Sequence, residues 1–321
     1  MQVKTSLLSA ALLGLLAAPA MAQSSVTVYG KLDLGVGQAI GSTDKTLLDA
    51  AGSRLGFRGQ EDLGDGLSAL FQIEHRFDPA TGTAWAQGAS KSAQGRFWNG
   101  RSSVGLKNAW GSVQLGRLYT PAYDLVQNQI DPFGGDTVAA LRDAGMRPDG
   151  LYATRVSYAV RADASFSGVS TGVLVGDSNA NGKARRPLAL GLGYALGELY
   201  LGAGYEQTGD EAADTASVWN LGARYKTPLA TLSAGFGKGQ DKAGTASQSW
   251  LLGAAVPVGQ GEVKLGYARQ SKDGSGTTVA KLGLGYHHKL SARTKLYADV
   301  GHDAEQVTRK NGWDLGVQHN F

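Results

Sequence analysis

Val26-Thr27-Val28-Tyr29-Gly30-Lys31-Leu32-Asp33-Leu34-Gly35-Val36 alternates in character along its length. Val26, Val28, Leu32, Leu34 and Val36 fall on one face; Thr27, Tyr29, Lys31, Asp33 and Gly35 fall on the other. A period of two puts successive side chains on opposite faces of an extended chain, so the run reads as a strand with one apolar and one polar face. Its length matches a tilted strand that crosses a bilayer.

The same grammar repeats downstream. Ser53 to Glu61 sets Leu55 and Phe57 against Arg54, Gly56 and Arg58, and a short turn at Leu63-Gly64-Asp65-Gly66 leads into Leu67–Phe77. There Phe71 and Ile73 oppose Gln72, Glu74 and Arg76. A polar loop from Asp78 to Gly95 precedes Phe97–Asn108, where Val104 and Leu106 oppose Arg101, Ser103, Gly105 and Lys107. Ser112–Tyr119 is the fifth strand. Eleven more are centred near Arg155, Val173, Leu192, Leu201, Leu221, Leu232, Leu252, Leu265, Leu284, Leu296 and Leu315. Short turns such as Leu196-Gly197-Glu198 alternate with longer polar loops such as Asp177–Arg186, Thr208–Thr215 and Lys238–Ser247.

An even strand number with unlike ends is the layout of an outer-membrane barrel. Closure is a physical requirement there, because lipid offers no hydrogen-bond partner to a sheet edge. The fold expected is therefore all-β: a 16-stranded antiparallel transmembrane barrel occupying residues 23–321. Lys4, the apolar run Leu7 to Ala18 and the small-x-small Ala20-Met21-Ala22 read as a cleaved secretory signal over residues 1–22, with Gln23 the mature start.

Composition supports this and excludes other classes. With no cysteine, disulfides, thiolate metal sites and cysteine nucleophiles are all ruled out. Removing Lys4 with the signal lowers the formal charge from +4 to +3, too little to argue for a nucleic-acid partner. Glycine is abundant, 47 against only 8 prolines, which suits strands with tight turns and a crowded interior. Gly168-Val169-Ser170-Thr171-Gly172 has the spelling of a nucleophile elbow but runs into strand, where that motif has no meaning. His287 and His288 are adjacent, so on a strand they face opposite ways and cannot share one metal. No enzyme activity, metal or cofactor is expected.

Between Tyr119 and Gly150 the alternation stops. An irregular segment this long inside a compact domain is usually functional. It carries Asp124, Asp131, Asp136, Asp143 and Asp149 against Arg142 and Arg147. We read it as a loop folded into the lumen, narrowing a water-filled pore.

These residues resemble one family: the trimeric general porins of the Gram-negative outer membrane, most closely their beta-proteobacterial branch. Val26-Thr27-Val28-Tyr29-Gly30-x-Leu32-Asp33 is similar to the family's first strand, Ser53-Arg54-Leu55-Gly56-Phe57-Arg58-Gly59 to its second, and Arg101-Ser102-Ser103-Val104-Gly105-Leu106 to its fourth. Pro132-Phe133-Gly134-Gly135-Asp136-Thr137 looks like the tip of the constriction loop. Leu290-Ser291-Ala292-Arg293-Thr294-x-Leu296-Tyr297-Ala298 and Gly316-Val317-Gln318-His319-Asn320-Phe321 fit the last two strands. Pro132 abuts Phe133 here, where many members place an acid between them. Thr154-Arg155-Val156-Ser157-Tyr158 matches the strand after the loop only loosely.

The resemblance implies a channel for passive diffusion of small hydrophilic solutes and ions, assembled as a homotrimer in outer-membrane lipid. It places Arg54, Arg101 and Arg155 together as a basic wall, with Arg58 close by. Asp131, Asp136 and Asp124 are expected to oppose them from the loop, with Asp131 the acid that reaches the pore axis. Lys31, Asp33, Glu74, Arg76 and Lys107 are expected to face the lumen by alternation. Basic linings favour anions, so modest anion preference follows. The alternatives are a substrate-specific channel for a sugar or organic acid, and an adhesin or structural barrel.

Overall fold

The computed structural model describes residues 25–84, 97–180, 185–207, 215–241 and 243–321. The expected export segment 1–22 and mature start Gln23, and parts of the loops Asp78–Gly95, Asp177–Arg186, Thr208–Thr215 and Lys238–Ser247, lie outside them.

In chain order the strands are β1 (Ser25–Gln38), β2 (Lys45–Leu48), β3 (Arg54–Gly64), β4 (Leu67–Arg76), β5 (Ser102–Lys107) and β6 (Gly111–Tyr119). After the long segment come β7 (Arg155–Phe166), β8 (Val169–Gly176), β9 (Leu188–Leu196), β10 (Leu199–Gln207), β11 (Thr215–Lys226) and β12 (Thr231–Asp241). The last are β13 (Ala246–Val258), β14 (Gly261–Lys272), β15 (Gly276–Lys289), β16 (Thr294–Asp303) and β17 (Asn311–Asn320). Each pairs antiparallel with its chain neighbour from β3 onward, and β17 returns to β1 with Leu34 opposite Val317. The sheet closes into a barrel.

Seventeen strands make sixteen staves. β2 pairs with Gly35–Gln38 of β1, while β3 pairs with Ser25–Lys31 along the same edge. The two are halves of one interrupted stave, and the four-residue piece Lys45–Leu48 is an element the alternation did not suggest. Ser53 fills the break: its backbone N–H donates to Asp49 at 2.8 Å, and the Asp33 N–H donates to its hydroxyl at 3.0 Å.

The expected strand Phe97–Asn108 is shorter, β5 covering only Ser102–Lys107. Asn99 stands in for the missing ladder. Its side-chain oxygen accepts from the Arg76 N–H at 2.7 Å and its amide donates to the Arg76 carbonyl at 3.0 Å.

Outward faces are apolar. Leu32, Leu55, Val104, Leu115, Leu221, Leu252, Leu284 and Leu315 are all exposed along the staves. In water such a belt would be costly; against hydrocarbon it is the matched surface. The main cluster of buried apolar residues instead lies inside, and most of its members come from the segment between β6 and β7. Val126, Ile130, Phe133, Ala139, Leu141 and Met146 pack with Leu251 and Ala268 of the wall. Each fully buried side chain of this size contributes roughly 1.5–3 kcal/mol. The segment is not featureless: helical turns occupy Tyr123–Gln127, Asn128–Ile130 and Arg142–Met146.

Glycines on the inward face give it room. A Cβ at Gly222 would lie 2.5 Å from Ile130, one at Gly266 would lie 2.5 Å from Leu141, and one at Gly253 would lie 2.7 Å from Pro132. The glycine content expected to serve tight turns thus also forms a track across β11 to β15 on which the loop is seated.

Candidate functional site: a guanidinium wall facing the loop

Tyr119, the last residue of β6, is the platform of the site. Its hydroxyl accepts from Arg76 at 2.6 Å and from Arg155 at 2.9 Å. The Arg155 guanidinium also lies 4.5 Å from its ring centroid, and that of Arg101 lies 4.9 Å away. Tyr119 also stacks with Tyr123 of the loop at 5.0 Å. An aromatic face attracts a guanidinium through the ring quadrupole, which lets several like charges share one small region.

Around this platform the wall is mostly basic. Glu74 neutralises Arg76 at 2.9 Å, both being buried and two residues apart on one face of β4. Arg101 reaches Asp124 at 3.4 Å and Gln72 at 3.3 Å. Arg54 is held by two carbonyls, Gly52 at 3.0 Å and Ala51 at 2.7 Å. Neither Arg54 nor Arg155 forms an ion pair among the described residues. Arg161 and Arg117 join the wall from outside the expected set. Arg161 donates to Asp124 at 2.6 Å and pairs with Asp163 at 2.8 Å; Arg117 donates to Ser157 at 2.9 Å. Counting alternate residues onward from Arg155 reaches Arg161, so a signal for it was available. The Tyr119 platform has no such signal, because its role depends on which staves meet there.

The structure brings Arg54, Arg101 and Arg155 toward Tyr119, while Arg58 sits over a second platform, Tyr29, whose hydroxyl donates to Glu74 at 3.1 Å and accepts from Gln72 at 2.6 Å. Arg58 lies four residues along β3 from Arg54, roughly 13 Å at about 3.3 Å per residue. Its guanidinium sits 5.3 Å from the Tyr29 ring, nearer the short-turn end. Lys107 ends β5 at that same rim, opposite Ser68 and Ser112, so it too is away from the cluster. Asp33 faces inward but is buried, accepting from the Tyr297 hydroxyl at 2.7 Å.

The loop acids take three different places. Asp131 does not reach the pore axis; that expectation is corrected. It is 6% exposed and its carboxylate accepts four backbone N–H groups, from Phe133, Gly135, Leu141 and Arg142, at 2.9 to 3.0 Å. An aspartate before Pro-Phe-Gly-Gly is consumed in folding the tip. Burial pushes its carboxyl up, against the amides that favour its charge. Asp136 lies 3.8 Å from Lys31, and Asp124 bridges Arg101 and Arg161. Asp143 is a further acid of the loop, outside the expected set, and its side chain is 64% exposed to the lumen. Although burial of its surroundings pushes the carboxyl up, Arg147 at 2.9 Å and Arg142 at 3.3 Å outweigh it and hold it below the ordinary range.

A chain of polar contacts fixes the loop to the opposite wall. Gln127 donates to Glu206 at 3.0 Å and to Asn220 at 2.8 Å, and accepts from Arg147 at 2.8 Å. Lys264 donates to the Pro132 carbonyl at 2.7 Å, and the Val138 N–H donates to Asp314 at 2.9 Å. The loop is therefore latched at its start, tip and return to β10, β11, β14 and β17.

Residues 9–307 match the protein family described as Gram-negative porin. The chain is 32% identical to outer membrane porin protein 32 of Delftia acidovorans, over 98% of this chain and 93% of that one. It is 30% identical to an outer membrane porin protein of Bordetella pertussis over 64% of this chain, spanning 60% of that relative's length. Among solved structures, the anion-selective porin from Comamonas acidovorans superposes with a TM-score of 0.76 at 26% identity, covering 93% of this chain and all of that one.

Proposed function

The chain belongs to the Gram-negative porin family, and we propose that it is a general, modestly anion-selective member whose constriction lies between the β3–β7 guanidiniums and the loop. As an outer-membrane barrel it forms a channel for small hydrophilic solutes. The observation that supports anion preference is the arginine cluster on Tyr119, in which Arg54 and Arg155 have no carboxylate partner among the described residues. Pores select by width and by the charges lining them, and unpaired guanidiniums lower the energy of a passing anion. The acids that could offset them are already engaged: Glu74 on Arg76, Asp124 on Arg101 and Arg161, Asp136 on Lys31, Asp143 on Arg142 and Arg147, and Asp131 on backbone amides. The similar porin from Comamonas acidovorans is an anion-selective one, which points the same way.

The assembly is a homotrimer, as the family resemblance implies, and residues 1–22 are the removed export signal. Family membership speaks for a channel and against an enzyme.

Reversal potential across a planar bilayer in a salt gradient tests selectivity; a cation-selective sign removes this reading. Liposome swelling with sugars of graded size tests general diffusion. Block by a single sugar at low concentration would favour a substrate-specific channel instead.

A further inference from the structure

Under the loop, on the short-turn side, is a second polar space of about 450 Å3. The loop's Gln129 to Pro132 roofs it, and Tyr200, Arg224, Lys226 and Ser233 wall it, with Glu198 and Glu262. Its charges are of both signs and are more loosely paired with each other than those of the guanidinium wall.

Lys226 and Glu198 stand 3.9 Å apart, and Glu262 stands 3.7 Å from Lys264 and 3.6 Å from Lys289. All three separations exceed hydrogen-bond reach, whereas Arg161 and Asp124 at the wall close to 2.6 Å. Arg224 is fixed by one nitrogen, which donates to the Gln129 carbonyl at 3.0 Å, and its guanidinium lies 5.5 Å from the Tyr200 ring. The same nitrogen also lies 3.4 Å from the Gln129 side-chain oxygen, and the guanidinium's other two nitrogens have no protein acceptor among the described residues. A planar fork held at one corner is suited to receive a carboxylate.

We propose that this cavity is a station for small zwitterionic solutes, with the carboxylate on Arg224 and the ammonium on Glu198. The proposal rests on the channel reading, since the solute reaches the cavity through the pore. A solute that is only an anion meets Glu198 and Glu262; one that is only a cation meets Arg224 and Lys226. A dipolar solute satisfies both, replacing the loose Lys226–Glu198 pair with two direct contacts. Loose pairs are also the right kind for a channel, where a site must hold a solute weakly enough to release it.

Three probes of one carbon skeleton separate the possibilities: β-alanine, propionate and propylammonium. Saturation-transfer NMR titration of the detergent-solubilised protein reads the station without needing a variant. Bilayer conductance of the same preparation reads the channel, so each reading fails separately. β-Alanine is expected to bind at least tenfold more tightly than either singly charged probe. Arg224→Gln and Glu198→Gln should each weaken β-alanine about tenfold, and only Arg224→Gln should weaken propionate. Equal binding of propionate and β-alanine overturns the zwitterion assignment in favour of a plain anion site. Equal binding of all three, or variants without effect, overturns the station altogether.

Discussion

Arg161, on the wall strand β7, donates to Asp124 of the loop at 2.6 Å, and the same Asp124 oxygen lies 3.4 Å from Arg101. One carboxylate thus joins loop to wall and cancels part of the charge on two guanidiniums. It tunes the pore and holds it.

Asp124→Asn separates these roles. The amide can still accept hydrogen bonds but no longer offsets charge. A unit charge at 4 Å in water is worth about 1 kcal/mol, so the anion-to-cation permeability ratio should rise roughly two- to fivefold. Reversal potential at low ionic strength is the measurement, because salt screens the effect beyond about 10 Å at 0.1 M. A shift toward cations would mean that Arg101 and Arg161 do not face the solute path.

Arg54→Ser combined with Arg101→Ser removes two guanidiniums from the wall. Conductance should rise as the opening widens, and selectivity should move toward cations. If neither changes, the narrowest point lies elsewhere. Arg58→Ser serves as the comparison: from its place over Tyr29, it should change selectivity less than the double variant does.

The strand pattern was legible because a lipid belt outside and polar groups inside leave a period of two in the sequence. Leu32, Leu55 and Leu315 had to face lipid, so Asp33, Arg54 and Asp314 had to face inward. What alternation cannot carry is depth and pairing. Arg54 and Arg58 have the same inward sign, and only stave register separates the cluster from the rim. Asp131 and Asp124 are both loop acids, and only the folded tip shows that one is spent on four amides while the other meets arginines. The interrupted second stave was hidden for a related reason: Lys45–Leu48 is too short to show a period. Asn99 replaces ladder bonds with side-chain bonds, and a polar residue at that position gives no sign of it.

The glycine track makes a steric prediction. Gly222→Leu pushes a side chain into the space of Ile130, since even a Cβ would lie 2.5 Å from it. Overpacking of this kind costs about 1–3 kcal/mol. The expected outcome is a lower Tm in detergent and noisier single-channel current as the loop leaves its seat. Pairing it with Ile130→Ala should restore most of both, because the two changes share one site. A double variant no better than the single would show that the loop is not seated there.

Acid should loosen the loop through Asp143. Its carboxyl is held below the ordinary range, so its ion pair is intact above the unfolded value of about 3.9 and is lost as pH falls through the lower folded value. The share of current noise due to Asp143 should therefore appear only at strongly acid pH and be missing in Asp143→Asn, which has no charge left to lose. Any share due to Asp131, whose carboxyl is pushed up, should begin at higher pH and persist in that variant. Noise that begins near neutral pH would assign the transition to another group.

Gln127 is the test of whether polar latching or the apolar cluster keeps the loop in place. It is fully buried and serves Glu206, Asn220 and Arg147 at once. Gln127→Leu keeps the volume near constant but deprives those three of a partner, each at a cost of about 1–3 kcal/mol when the group stays buried. Gln127→Glu should be worse, since it sets a second carboxylate beside Glu206. The expected order of Tm in detergent is wild type, then Gln127→Leu, then Gln127→Glu, with current noise in the reverse order. Should Gln127→Leu remain as stable and as quiet as wild type, the cluster around Ile130, Leu141 and Met146 suffices, and the polar chain serves only to satisfy groups that burial would otherwise strand.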